Sequence, residues 1–187
     1  GRFFYAGARA PSFHDHMEAD DRVLFVQTLS KNWAMTGWRL GWLEAPPELG
    51  QAIENLIQYS SSGSPIFIQR GATAALDQGD AFVEESKARA ATSRALLADA
   101  LRASGRVDFA EPDGAFYLFA AVEGEADSRA LALRLVDEAG VGVAPGTAFG
   151  AGGAPYLRLC YARDPRDVAE VAGRLTRWLA GRTGARA

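Results

Sequence analysis

Cysteine, histidine and lysine are scarce in these 187 residues: there is one cysteine, there are two histidines, and of 20 basic side chains only Lys31 and Lys87 are lysines. A lone Cys160 excludes an intrachain disulfide framework and fits a reducing cytoplasm. No stretch approaches the roughly 18 consecutive apolar residues that would span a membrane, and none reads as a secretory signal. An excess of one charge is missing too. The net charge is −3 and the arginines are scattered, which leaves no electrostatic case for nucleic acid. His14, Asp15 and His16, followed by Asp20 and Asp21, lack a further ligand of sound spacing, so a solvated loop is expected there and no metal site.

What remains is an ordinary globular composition, 48% hydrophobic. Residues 1–21 read as a polar loop. Val23–Leu29 reads as a buried strand and Trp38–Leu43 as the next one. Pro46-Pro47 opens a helix whose Leu49, Ile53, Leu56 and Ile57 recur at helical spacing. Ser60–Pro65 breaks it, and a second helix follows over Ile66–Asp77.

A long helix is expected from about Asp80 to Ser104, ended by Gly105. Strands are expected near Val107–Ala110, Phe116–Val122, Val141–Val143 and Tyr156–Tyr161. A helix over Ser128–Ala139 would be capped by its own serine and left through Gly140. Asp164-Pro165 starts a last helix with the apolar stripe Val168, Val171, Leu175, Trp178 and Leu179, and the Arg182–Ala187 tail is expected to fray. The chain thus divides near residue 78. Its first part has two strands, too few to cover their own faces and edges. The second has sheet and helices enough for a core.

One lysine stands out. Lys31 follows the β-rich run Arg22–Leu29, in a chain that otherwise uses arginine for positive charge. An arginine stays protonated, whereas a lysine can lose its proton and act as a nucleophile. Arg39 lies eight positions later within Ser30-Lys31-Asn32-Trp33-Ala34-Met35-Thr36-Gly37-Trp38-Arg39-Leu40-Gly41. Further along stand Pro112-Asp113-Gly114-Ala115-Phe116-Tyr117, then Val143-Ala144-Pro145-Gly146-Thr147-Ala148-Phe149-Gly150, then Tyr156-Leu157-Arg158-Leu159-Cys160-Tyr161-Ala162.

The first of these segments resembles the cofactor-lysine motif of class I/II aminotransferases, fold-type-I enzymes that use pyridoxal 5′-phosphate (PLP). The other three match the same family in order, so the resemblance runs from about Tyr5 to about Leu179. It implies an α/β fold: residues 1–78 as the C-terminal part of the large PLP-binding domain, and residues 79–187 as a small α+β domain that includes the bridging helix. It implies a PLP-dependent aminotransferase of the bacterial aspartate-aminotransferase-like branch, moving an amino group from an L-amino acid to a 2-oxo acid. Such enzymes act as cytoplasmic homodimers without metal, nucleic acid or membrane partners.

By the same resemblance Lys31 is the Schiff-base lysine, which also moves the substrate proton. Ser30 and Arg39 hold the cofactor phosphate, and Arg158 clamps the substrate carboxylate. Gly37 lets the chain turn so that Arg39 points back at the lysine. Phe116 is either a residue that excludes water from the substrate or a core aromatic of its strand. Ser62-Gly63-Ser64 is either a dimer-interface segment or a plain loop. Trp33, Trp38 and Trp42 are expected to pack, as is Cys160. Strand alternation puts Tyr156, Arg158 and Cys160 on one face and Leu157, Leu159 and Tyr161 on the other. The family's pyridinium-binding aspartate, its phenol partner and its ring-stacking aromatic would precede Gly1. The chain is therefore expected to be the C-terminal part of a longer enzyme, inactive by itself. Two alternatives share this pattern: another fold-type-I PLP enzyme such as a C–S lyase, and the aminotransferase-like ligand-sensing domain of a transcription regulator.

Overall fold

In the computed structural model, which describes residues 2–18 and 20–181, the chain separates into two compact units. One comprises Gly1–Arg2 and Arg9–Glu85, the other Phe3–Ala8 and Ser86–Ala187.

The first unit is built on a hairpin. Strand β1 (Phe25–Thr28) pairs antiparallel with β2 (Gly41–Glu44), with Phe25 opposite Glu44 and Thr28 opposite Gly41. Both strands are shorter than their sequence pattern suggests, and β1 is not buried: Val26 is 81% exposed. Phe25 and Gln27 are half-buried and Val26 and Thr28 exposed, the alternation of a strand with one open face. Trp38 belongs to a 3₁₀ turn, Thr36–Trp38, before β2 begins. Helix α1 (Gly50–Ser60) starts later than expected, because Pro47–Leu49 forms a separate 3₁₀ turn, and α2 (Ile66–Gln78) follows at the expected place. The apolar stripe of α1 nevertheless has no buried residue. The unit's small core is Leu29, Met35 and Ala72, with Trp33, Leu40 and Ala75 against it.

Helix α3 (Asp80–Ala103) starts in the first unit and continues into the second. The second unit holds an antiparallel sheet of order β3-β4-β6-β5: β3 (Val107–Phe109), β4 (Tyr117–Val122), β6 (Tyr156–Cys160) and β5 (Ala144–Pro145). Leu118 and Ala120 of β4 and Leu157 and Leu159 of β6 share one core with helical residues. These include Leu97 and Leu101 of α3, Leu131 and Leu135 of α4 (Ser128–Ala139), and Leu175 and Leu179 of α5 (Pro165–Gly181). Each such leucine contributes about 1.5–3 kcal/mol by leaving water, which makes this unit the better sheltered of the two.

Three local expectations need correction. The cap of α4 is Asp127, whose carboxylate accepts from the N–H groups of Arg129 and Ala130, while Ser128 is buried. A carboxylate one residue earlier reaches the free N–H groups without entering the helix. The edge strand is Ala144–Pro145 and not Val141–Val143; proline fits there because an edge needs no N–H on its outer side. The first residues are not all loop. Phe4 pairs with Gly114, flanked by bonds from Tyr5 N to the Asp113 carbonyl (2.8 Å) and from Ala115 N to the Phe3 carbonyl (2.7 Å).

The exits of α3 and α4 are left-handed at Gly105 (φ 65°) and Gly140 (φ 63°), where a missing Cβ removes the steric penalty. Asp164 accepts from Arg166 N at 2.9 Å at the start of α5, and the adjacent Arg166 guanidinium holds its carboxyl down at about 2. The Arg182–Ala187 tail lies outside the described residues.

Candidate active site

The hairpin end brings Ser30 and Arg39 together. Beyond the Thr28–Gly41 pair, Leu29 N donates to the Leu40 carbonyl at 3.2 Å, so the ladder runs one rung further. Ser30 and Arg39 are the next residue on each side, and Lys31 follows Ser30 into the connecting loop. That loop is tied internally. Met35 N donates back to the Leu29 carbonyl at 3.4 Å, Ala34 N to the Lys31 carbonyl at 3.4 Å, and Trp38 N to the Met35 carbonyl at 3.2 Å.

The turn that aims Arg39 is not made by Gly37. Gly37 lies inside the 3₁₀ turn with open space where a Cβ would stand. The left-handed residues are Ala34 and Arg39 itself, both at φ 53°. A non-glycine residue held there costs about 1–2 kcal/mol, a strain that persists only where the surroundings over-determine it.

The surroundings do so. Leu29 and Met35 are the buried anchors at the loop's base. Trp38 lies so close to helix α2 that a Cβ on Gly71 would stand 2.3 Å from its ring, and a Cβ on Gly79 would stand 2.7 Å from Trp33. Gly71, Ala72, Ala75 and Gly79 recur at helical spacing, so α2 offers a small-residue face on which both tryptophans rest. Trp33 packs as expected, whereas Trp38 touches Gly71 on one side and is otherwise exposed. Trp42 is partly exposed, with Nε1 donating to Glu44 at 3.1 Å. On β2, Gly41 is required by close approach, because a Cβ there would lie 2.1 Å from the Gln27 carbonyl oxygen.

Chemically, the hairpin end is a cluster of donors. Arg39 is exposed and spends Nη1 on the Thr36 carbonyl at 3.0 Å, which leaves most of its five N–H donors free. Thr28 Oγ1 donates to Ser30 Oγ at 2.9 Å, so the Ser30 proton can be given to a ligand. Lys31 is exposed. Among the described residues neither Lys31 nor Arg39 is in an ion pair. A hydroxyl, a guanidinium and an amine with no competing carboxylate suit a ligand that carries a phosphate dianion and a carbonyl carbon.

The other two predicted site residues lie in the second unit. Arg158 shares its strand face with Tyr156 and Cys160, while Leu157 and Leu159 are buried on the opposite face, as alternation predicts. Phe116 is half-buried, packed on the core and edge-on to Phe3 at 5.5 Å. Cys160 does not pack inside: it is exposed, since its strand face is the one without helices. His14 stacks on Phe25 at 3.7 Å and pairs with Glu44 at 3.3 Å. Ser62 (φ 56°) and Gly63 (φ 85°) form the left-handed turn between α1 and α2.

Several further residues surround these positions. Tyr5, Tyr161 and Arg94 surround the Pro112–Phe116 loop. Arg94 Nη1 donates to the Pro112 carbonyl at 2.6 Å, and its guanidinium lies 4.5 Å over the Tyr5 ring. Tyr117 and Phe149 flank Arg158. Of these, Tyr117, Phe149 and Tyr161 stand in the segments that carry the family resemblance, and strand alternation put Tyr161 on the apolar face; Tyr5 and Arg94 had no signal of their own.

Comparison with known proteins gives one family. The profile described as aminotransferase class I and II matches residues 1–175. A valine–pyruvate aminotransferase of Mycobacterium tuberculosis is 35% identical over 91% of this chain and 45% of its own length. A probable aspartate aminotransferase of Methanocaldococcus jannaschii is 36% identical over 84% of this chain and 43% of its own. Among solved structures, an aromatic aminotransferase of Pyrococcus horikoshii superposes with a TM-score of 0.87 at 32% identity, covering 97% of this chain and 49% of that one. The chain thus spans about half the length of the relatives it matches. Among the described residues no helix is long and apolar enough to cross a membrane.

Proposed function

This chain belongs to the aminotransferase class I and II family, and we propose that it carries part of the site of a PLP-dependent transaminase. The observation that supports this reading is the hairpin end, where Ser30 and Arg39 take the register position after Leu29 and Leu40, Lys31 follows Ser30, and among the described residues neither Lys31 nor Arg39 is ion-paired. Ser30 Oγ and the Arg39 guanidinium bind the cofactor's phosphate, the hydroxyl giving one hydrogen bond and the fork up to two. Lys31 Nζ is the amine for covalent attachment at the cofactor's aldehyde carbon. When bound, PLP supplies an electron sink for the bonds at the substrate Cα. Lys31 Nζ would then be the base that takes and holds the proton from the substrate Cα. Arg158 orients the substrate through its carboxylate, and Phe116 keeps water from it.

The substrates are an amino acid and a 2-oxo acid. The relatives differ in the side chain named, valine in one and aspartate in another, so the common element is the carboxylate that Arg158 would hold. All three relatives cited are named aminotransferases, which favours transamination over C–S lysis or ligand sensing. The intact protein works as a homodimer. In support, the first unit leaves large apolar side chains uncovered, among them Leu56, Tyr59, Ile66 and Phe67.

The two lysines make the test internal. The 187-residue chain is incubated with PLP, reduced with borohydride, digested and mapped by mass spectrometry. The expected result is cofactor mass on Lys31 well above Lys87, and its loss from that position in Lys31→Ala. Equal labelling of both lysines, or none at Lys31, refutes the reading.

A further inference from the structure

Arg158 is half-buried, and among the described residues it has no ion-pair partner. A cation removed from water needs compensation. Here aromatic rings provide it: the guanidinium carbon stands 4.1 Å from the Tyr117 ring centre and 4.2 Å from that of Phe149. The rings are themselves supported. Phe149 meets Phe119 edge-on at 6.1 Å, and Phe119 lies nearly parallel to Tyr156 at 4.9 Å and 12°. Strand register explains the gathering. Phe119 is directly opposite Arg158, Tyr117 is opposite Cys160, and the period of two puts all of them on the sheet face away from the helices. Phe149 reaches that face from the short turn Gly146–Phe149 after the edge strand.

A guanidinium flanked in this way keeps its N–H edge as the open approach. Ring faces attract the cation but accept little from its N–H groups, so the planar fork stays unsatisfied and oriented. A carboxylate is the complementary planar acceptor. We infer that Tyr117 and Phe149 are positioning residues: they hold the Arg158 fork ready for a carboxylate in its plane, without touching the reacting atoms. The inference rests on the reading of Arg158 as the substrate-carboxylate clamp and adds what keeps that clamp in place.

The test is a titration of the ¹⁵N-arginine-labelled 187-residue chain with sodium pyruvate, followed through the Arg158 Nε–Hε resonance, which is assigned by its loss in Arg158→Lys. Methyl pyruvate, the uncharged ester, is the control. In the wild type the Arg158 Hε signal should lie upfield of the other arginines before any ligand is added, because the ring currents act on it, and pyruvate but not the ester should move it. Tyr117→Leu and Phe149→Leu should each weaken the pyruvate response at least fivefold, while Tyr117→Phe, which keeps the ring, stays within twofold. A wild-type Hε with no upfield displacement overturns the inference without recourse to any variant. Leucine variants that respond like wild type overturn it while leaving the clamp intact. A wild type indifferent to pyruvate removes the clamp itself, and the inference goes with it.

Discussion

The phenols of Tyr5 and Tyr161, far apart in sequence, converge on one acceptor: the Ala115 carbonyl receives the first at 2.8 Å and the second at 3.2 Å. Ala115 is left-handed at φ 61°, next to Phe116, and its own N–H is held by the Phe3 carbonyl. The strained turn before β4 is thus fixed from both sides, by a segment from the chain's beginning and a residue just past β6.

Tyr161 is fully buried, and burial, with the neighbouring Tyr5 phenol after it, pushes its phenol up from the ordinary value. The folded chain therefore holds that proton more tightly than the unfolded one. The resulting stability is complete below about pH 10, the ordinary phenol range, and is lost as the pH rises beyond it through the folded-state value. Tyr161→Phe should cost about 1 kcal/mol near neutral pH, since Tyr5 still serves Ala115. It should also flatten the alkaline limb of stability in urea titrations at several pH values. An unchanged alkaline limb would count against the phenol pair.

Gly41→Ala should collapse the hairpin end. The new Cβ meets the Gln27 carbonyl oxygen, which is backbone and cannot swing away. Overpacking of this kind costs about 2–3 kcal/mol. The sharper measurement is the labelling ratio of Lys31 to Lys87 with PLP, which should fall toward one as the geometry around Ser30 and Arg39 is lost.

Arg39→Gln should raise the PLP concentration needed for half-maximal labelling of Lys31. Losing charge-assisted hydrogen bonds to a phosphate removes about 1.5–3 kcal/mol, or roughly 10- to 100-fold in affinity. Glutamine preserves bulk and some donors without adding a third lysine. A change of less than twofold would take Arg39 out of the phosphate site.

Much of this was legible in the sequence because it is local. The helix bounds of α2 to α5 follow from period and punctuation: proline at the start of α5, and glycine after α3 and α4. The two faces of β6 follow from alternation, and Arg158 with them. Lys31 stood out through residue choice together with the motif around it. Errors came where a choice depended on neighbours. Asp127 took the cap from Ser128, Arg39 and not Gly37 took the left-handed turn, and Cys160 stayed outside.

By itself, then, the sequence determined the five helices, most of the strands and their apolar faces, and it named residue types that suit a phosphate, an aldehyde and a carboxylate. Tertiary structure alone decided that Phe4 pairs with Gly114, that Trp38 settles on Gly71 of α2 and Trp33 on Gly79 just after it, and that Tyr117 and Phe149 flank Arg158. Periodicity and capping act within a few residues, so they can be read from the chain. Contacts between distant segments depend on which surfaces meet once the chain has folded, and no local pattern encodes that meeting.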